Sequence, residues 1–357
     1  MIDKHYIDFK VRDYMDDEEL KIGLSSDLID CSLGTNPFIN DGFMRNYIQN
    51  SNSEINKYPS IQYDLLKEEL ANIWNTSKEN IAFGSGTMGM LRNVCEILVQ
   101  KGTKVLGIAP QFPRFISEVE LKRGKYEYYR LKEKNNFKFD VYEFINKIDT
   151  GFDLISIENP NNPTGQIIEI IDIEKVVKRA KEVGSFVIVD EAYGDYMSNE
   201  NSAINLVSKY DNLIVLRSAS KFYGLPNHRI GYLFADKEFI KLYDKISLPF
   251  PFSDMSASIF INVLKDYKGF DFTKSKTVEV KRKILESLDG KNYLSTSLNS
   301  PIFTIKTDKY SNLKNKLLEE GINAEPCGYF IDLDNSYARI RITDDYEILI
   351  KKLREIL

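Results

Sequence analysis

Short apolar runs recur along the chain, and four of them end in clusters of polar residues. Ile81-Ala82-Phe83 runs into Gly84-Ser85-Gly86-Thr87, and Leu154-Ile155-Ser156-Ile157 runs into Glu158-Asn159-Pro160-Asn161-Asn162-Pro163-Thr164-Gly165. Phe186-Val187-Ile188-Val189 ends in Asp190-Glu191-Ala192-Tyr193, and Leu213-Ile214-Val215-Leu216 leads into a segment from Arg217 to Arg229. Runs of this length, rich in β-branched residues and bounded by turn formers, predict buried strands. Val105–Ala109 and Ile230–Phe234 read the same way. Helical spacing separates them: Leu65, Leu66, Leu70 and Ile73 before the first strand, then Leu91, Val94, Cys95 and Leu98 within 88–101. A third helix is predicted over Ile173–Val183, with Asp172 as its N-cap. Strands alternating with helices from 81 to 234 predict a parallel sheet with helical crossovers.

Past Leu248-Pro249-Phe250-Pro251-Phe252, where prolines interrupt both helix and strand, the pattern changes. A helix is expected through Lys265. Ile302–Lys306 and Ala338–Thr343 alternate like half-buried strands, and Leu313–Glu320 and Tyr346–Leu357 like amphipathic helices. The division that follows is an N-terminal arm with part of a small domain over 1–40, a large domain over 41–248, and a small α+β domain over 249–357. The length of 357 residues suits two domains.

In open α/β sheets ligands bind outside the carboxyl ends of the strands, so the four polar clusters predict one shared site. Lys221 offers an amine able to form an imine. Ser218, Ser220 and Arg229, in the same segment, suit a phosphate. Together they fit a phosphorylated aldehyde, pyridoxal 5'-phosphate. Its pyridine nitrogen needs a carboxylate, for which Asp190 stands ready, and its ring hydroxyl needs partners such as Asn162 and Tyr193. The helix opened by Gly84-Ser85-Gly86-Thr87 offers bare amides to the phosphate. Phe112, just past another strand, suits the ring face.

These segments resemble the fold-type I, class I/II aminotransferases, and among them the histidinol-phosphate aminotransferase and threonine-phosphate decarboxylase family. The resemblance covers most of the chain in the family's order: Leu33-Gly34-Thr35-Asn36-Pro37, Lys57-Tyr58-Pro59, Gly84–Thr87, Asn159–Gly165, Asp190–Tyr193, Ser218–Tyr232 and Ile340-Arg341-Ile342-Thr343. It implies the α/β fold of that class, a large domain with a mainly parallel sheet and a small α+β domain. It implies that Lys221 forms the Schiff base and moves protons on the substrate carbon. Ser85, Gly86, Thr87, Ser218, Ser220 and Arg229 would then hold the cofactor phosphate. Phe112 stands where the family has a stacking Tyr. Tyr58 would reach the partner's cofactor phosphate across a homodimer with shared sites, Arg341 would bind the substrate carboxylate, and Asn36 would border the substrate.

One departure concerns Gly321-Ile322-Asn323-Ala324-Glu325-Pro326. The family commonly carries a second substrate-binding Arg there, and Glu325 falls near that place. A carboxylate there repels a phosphate. Arg339, on the strand face of Arg341, is expected to compensate in part. The expected reaction is amino transfer from glutamate or alanine to a small, phosphorylated keto compound. The alternative is decarboxylation of a phospho-amino acid of the phosphoserine or phosphothreonine type. Which bond of the bound substrate stands perpendicular to the ring decides between them.

Composition narrows the field further. With 43% hydrophobic and 28% charged residues and a net charge of −5, the chain has no basic stripe for nucleic acid. Three cysteines suggest neither a disulfide framework nor zinc spacing, so no metal is expected, and two histidines argue against a His-based triad. No apolar stretch nears the roughly 20 residues a membrane span needs. The charged start Met1-Ile2-Asp3-Lys4 lacks a leader's apolar core, which points to the cytoplasm. Gly84-Ser85-Gly86-Thr87-Met88-Gly89 matches a dinucleotide-binding glycine pattern, but the strand Val105–Ala109 ends without the acid that holds a ribose. Asp190 and Glu191 are neighbours on a strand and point to opposite faces, so they do not form an acid/base pair. Asp16-Asp17-Glu18-Glu19 reads as a solvated or helix-starting charge run.

Overall fold

A computed structural model describes residues 3–12, 28–54, 56–60 and 63–357. The Asp16–Glu19 run lies outside these residues. The first strand, β1 (Ile29–Asp30), belongs to the small sheets near the C-terminus. The main sheet contains β2 (Ile81–Ser85), β3 (Lys104–Ala109), β4 (Lys125–Arg130), β5 (Leu154–Glu158), β6 (Phe186–Asp190), β7 (Leu213–Ser218) and β8 (Ile230–Ala235), in the order β2-β8-β7-β6-β5-β3-β4. All run parallel except β8, which is antiparallel to both of its neighbours. The short connection after β7, which holds one 3-10 turn (Pro226–His228) and no α-helix, explains this. A parallel neighbour needs a crossover of a dozen or more residues, whereas the segment from Ala219 to Arg229 simply turns back.

Alternate residues of the central strands feed two cores. Ile155, Ile157, Val187, Val189 and Val215 face the helices Asp64–Trp74, Ile170–Val183 and Asp254–Lys265. Leu154, Ile188, Ile214 and Leu216 face Gly86–Leu98, Pro113–Leu121 and Lys237–Ile246. Burial on both faces is what continuous apolar runs demand of parallel strands. The helix Ile170–Val183 begins earlier than expected. Glu169 is its N-cap, the Asn201 side chain accepts the Ile170 amide at 2.8 Å, and Asp172 falls in the first turn.

Two smaller sheets complete the fold: β9 (Ile302–Lys306), β11 (Glu325–Pro326) and β12 (Tyr337–Arg341) in the order β11-β12-β9, and β1 paired in parallel with β10 (Ile322–Asn323). Their core contains Val280, Ile284, Phe303, Leu317, Ile340 and Leu353. A boundary at 249 separates Asp254–Lys265 from the elements it packs on. Ile259, Phe260, Val263 and Leu264 of this helix bury in the core of the large sheet, so structurally it belongs there. Among the described residues, no helix is long and apolar enough to cross a membrane.

Candidate active site

Glu158 on β5, Asp190 on β6 and Ser218 on β7 end their strands on the sheet face covered by the helix Gly86–Leu98. Their parity follows from Leu154, Ile188 and Leu216, which face that helix. The helix begins right after β2, so its amino end meets the same strand termini. Gly86, with φ +66°, lies in the left-handed region that favours glycine, and a Cβ there would overlap Arg229 Nη2. The Gly86 amide donates to the Arg229 carbonyl at 2.8 Å. Arg229 itself has φ +53°, and its Nη1 lies 3.4 Å from Ser220 Oγ and 3.0 Å from the Pro226 carbonyl. Ser218 Oγ accepts the Ser220 amide at 3.1 Å. The structure thus brings Gly86, Ser218, Ser220 and Arg229 together as a cradle of hydroxyls, amides and one guanidinium. Ser85 is exposed and Thr87 half-buried at its rim.

Lys221 Nζ stands 5.4 Å from the centre of the Tyr193 ring. Burial raises the Asp190 carboxyl to about 6. The Ala192 amide and the Lys221 charge pull it down, and Glu191 pushes it up. Glu191 points to the other sheet face, as expected from alternation. There it pairs with buried Arg217 at 2.8 Å and accepts from Ser202 Oγ and the Ala203 amide, each at 2.7 Å. Asp195 joins Arg217 at 2.8 Å and accepts from Tyr223 Oη at 3.1 Å, which braces the segment carrying Lys221. His228 turns its Nδ1 to Ser256 Oγ at 3.0 Å.

Phe112 is half-buried at the start of the helix Pro113–Leu121, and its amide donates to Glu158 Oε1 at 2.8 Å. The Asn162 amide donates to Glu158 Oε2 at 3.0 Å. Glu158 was not singled out from sequence. A charged residue closing an otherwise apolar strand was the available signal. Asn36 is buried, and its side chain is spent on the chain itself: Nδ2 donates to the Phe222 carbonyl at 2.8 Å and Oδ1 accepts the Phe38 amide at 3.1 Å. It pins the N-terminal segment beside Lys221. A Cβ on Gly34 of that segment would overlap the Tyr193 hydroxyl.

The two arginines turn to different partners. Arg339 Nη1 donates to Asn162 Oδ1 at 2.9 Å, and Nη2 contacts the Ser32 carbonyl and Glu325. Arg341 instead turns to Asp30, with Oδ2 at 3.2 Å and the Asp30 carbonyl also in contact. The arginine that meets the Asn-Pro-Thr-Gly turn is therefore Arg339, only 3% exposed. Glu325 stands directly opposite Arg339 in the β11–β12 ladder and is buried against it. Its charge is compensated within the protein, which corrects the expectation of a carboxylate that repels a ligand phosphate. Tyr58 lies apart from these groups, 85% exposed, its ring stacked on Phe250 at 5.1 Å.

The family profile described as "Aminotransferase class I and II" matches residues 29–353. This chain belongs to the class I and II aminotransferases. A histidinol-phosphate aminotransferase of Methanocaldococcus jannaschii is 28% identical over 338 residues, 93% of this chain and 90% of that one. A putative threonine-phosphate decarboxylase of Caldanaerobacter subterraneus is 29% identical over 308 residues, 84% of this chain and 83% of the relative. The crystal structure of the histidinol-phosphate aminotransferase from Clostridium acetobutylicum superposes with a TM-score of 0.83 at 24% identity, over 92% of this chain and 99% of that one. The aminotransferase has the fold-type I architecture, with its mainly parallel sheet, and depends on pyridoxal 5'-phosphate. The residues present fit that group: the cradle at Gly86, which a Cβ would fill, and the amine–carboxylate pair of Lys221 and Asp190 supply the donor set it needs.

Proposed function

We propose that this aminotransferase moves an amino group from glutamate or alanine to a small, phosphorylated keto compound. The observation that carries this reading is the convergence of Lys221, Asp190 and the Ser218–Ser220–Arg229 cradle at adjacent strand ends on one sheet face. When bound, pyridoxal 5'-phosphate supplies the electron sink for charge at the substrate's α-carbon. The Thr87 amide, with Ser85, Ser218, Ser220 and Arg229, would hold its phosphate, and Gly86 leaves room for the Arg229 guanidinium where a Cβ would overlap it. Asp190 would keep the pyridine nitrogen protonated, Asn162 and Tyr193 would meet the ring hydroxyl, and Phe112 would cover one ring face. Lys221 Nζ is the amine that holds the cofactor covalently and then carries the proton to and from the substrate α-carbon. Arg339, oriented by Asn162, takes the substrate carboxylate, with Arg341 on the same strand and Asn36 bordering the substrate from the segment it pins to Phe222. The names of both relatives carry a phosphate ester, which supports a phosphorylated acceptor.

Tyr58, exposed like Leu248 and stacked on half-buried Phe250, would face a second copy of the chain and reach the phosphate of the partner's cofactor. The partners are thus small-molecule substrates and a like subunit. A cytoplasmic location fits the three free, buried cysteines Cys31, Cys95 and Cys327.

Borohydride reduction of the cofactor-loaded protein, followed by peptide mapping, should place the reduced adduct on Lys221. An adduct elsewhere overturns the reading. Decarboxylation is the second reading, favoured by the Caldanaerobacter relative. Release of 2-oxoglutarate from glutamate supports transamination, and carbon dioxide alone from phosphoserine or phosphothreonine supports the other.

A further inference from the structure

The carboxylate of Glu158 bridges two segments that are far apart in sequence. Oε1 accepts the Phe112 amide at 2.8 Å and Oε2 the Asn162 amide at 3.0 Å. Glu158 is 4% exposed and lies in register with Asp190 on the next strand. Around it the loop that carries Phe112 is stitched to the same strand and turn. Gln111 Nε2 donates to Ser156 Oγ at 2.9 Å, and Asn161 Nδ2 donates to the Pro110 carbonyl at 3.1 Å. Those two bonds fix the loop's path. The Glu158 bridge joins the backbones of Phe112 and Asn162, the two residues proposed to flank the cofactor ring.

Nothing in strand packing calls for a carboxylate there. Burial drives its protonation well above the ordinary range, the neighbouring Asp190 adds to that, and only the two amides oppose it. Burying such a group is unfavourable unless every lone pair it presents is used. Here one rigid fork satisfies both amides and sets the distance between them. The Phe112 amide begins the helix that aims its ring, and the Asn162 amide belongs to the residue whose side chain Arg339 grips from the other side.

We infer that Glu158 is a positioning residue for the cofactor, a carboxylate clamp that fixes the spacing between the stacking ring of Phe112 and the amide of Asn162. The inference rests on the reading that pyridoxal 5'-phosphate binds between those residues. Glu158→Gln keeps the shape and one acceptor but turns an NH2 group against one of the two amides. With loss of one charge-assisted bond, the Kd for pyridoxal 5'-phosphate, followed by absorbance titration of cofactor-free protein, should rise roughly tenfold. The visible circular dichroism of the saturated variant should fall, because the ring is no longer held at one tilt. Unchanged Kd and dichroism overturn the clamp. The wild-type protein supplies a check that survives misfolding of the variant. The Phe112 and Asn162 amides should be protected from hydrogen exchange without cofactor, and exchange at the rate of open loops overturns the proposal. Reduction onto Lys221 is read separately, so failure of the cofactor assignment is distinguishable from failure of the clamp.

Discussion

Asp190 has the clearest consequence of any single side chain. Its carboxyl titrates near 6, against an ordinary value of 3.8, chiefly because it is buried. A carboxyl raised in the fold binds its proton more tightly folded than unfolded. Its contribution to the stability of the cofactor-free protein is therefore full below about pH 4 and is lost as pH rises through about 6. If Asp190 pairs with a protonated pyridine nitrogen as proposed, cofactor affinity runs the other way, because that pairing needs the ionised form. Near pH 5 about a tenth of Asp190 is ionised, so binding there should be roughly tenfold weaker than near pH 7.5. Asp190→Asn should remove that part of the pH slope, and comparing the two titrations isolates this carboxyl from the cofactor's own ionisations. The arginine pair gives a second test at this scale. Arg339→Lys keeps a charge beside Glu325 but loses the fork that meets Asn162, Ser32 and Glu325 together. The KM for the amino-acid donor should rise roughly tenfold or more with a smaller change in kcat, while Arg341→Lys, which faces Asp30, should change KM less. Equal effects from the two variants would remove the distinction drawn between them.

At the scale of elements, legibility in the sequence followed chemistry. Strands β3, β5, β6 and β7 were readable because burial on both faces leaves runs of apolar residues. The reversed direction of β8 was not, since it depends on the short return after β7, which holds no α-helix. The helix Asp271–Glu286 escaped because its buried face is Thr273, Thr277, Val280, Lys281 and Ile284, helical in spacing but largely polar. Lys281 explains that composition. Its Nζ lies within 2.6 to 2.9 Å of Thr296 Oγ1 and the carbonyls of Ser297, Ser300 and Ile302, which share its N–H groups. It gathers the strand-leading segment that packs against the Asn161–Gly165 turn, where the Ser297 amide meets the Gly165 carbonyl at 3.0 Å. Lys281→Met should leave those acceptors bare and cost about 2–4 kcal/mol, read as a lower midpoint in urea. The cradle helix offers a sharper test. Gly86→Ala forces a left-handed backbone on alanine, costing roughly 1–2 kcal/mol, and pushes on Arg229 Nη2. Cofactor affinity should fall more than stability does. A variant that loses only stability would show that the Arg229 contact is not part of the phosphate cradle.

The whole molecule assembles its site from segments remote in sequence. Asn36 meets Phe222, Arg339 meets Asn162, Thr304 Oγ1 donates to the Pro163 carbonyl at 2.9 Å, and Arg341 meets Asp30. Motifs name such residues one by one but not their pairings, so the residues gathered at the strand ends were readable in the sequence while the separate partners of Arg339 and Arg341 were not. The same limit applies one level higher, to a second copy of the chain. Tyr58 is 85% exposed and stacks on half-buried Phe250, and Leu248, two residues before Phe250, is 75% exposed. Covering a large side chain of this kind is worth about 1.5–3 kcal/mol, so a lone chain leaves substantial stabilisation unused at this surface. Sedimentation should therefore show a dimer, and Leu248→Asp should split it. If Tyr58 reaches the partner's cofactor phosphate, dilution of Leu248→Asp should lower cofactor affinity in step with dissociation. Tyr58→Phe should leave the dimer intact and still weaken the cofactor by roughly tenfold or more, the worth of one hydrogen bond to a charged phosphate. A monomer that binds the cofactor as tightly as the dimer would place the complete site within a single chain.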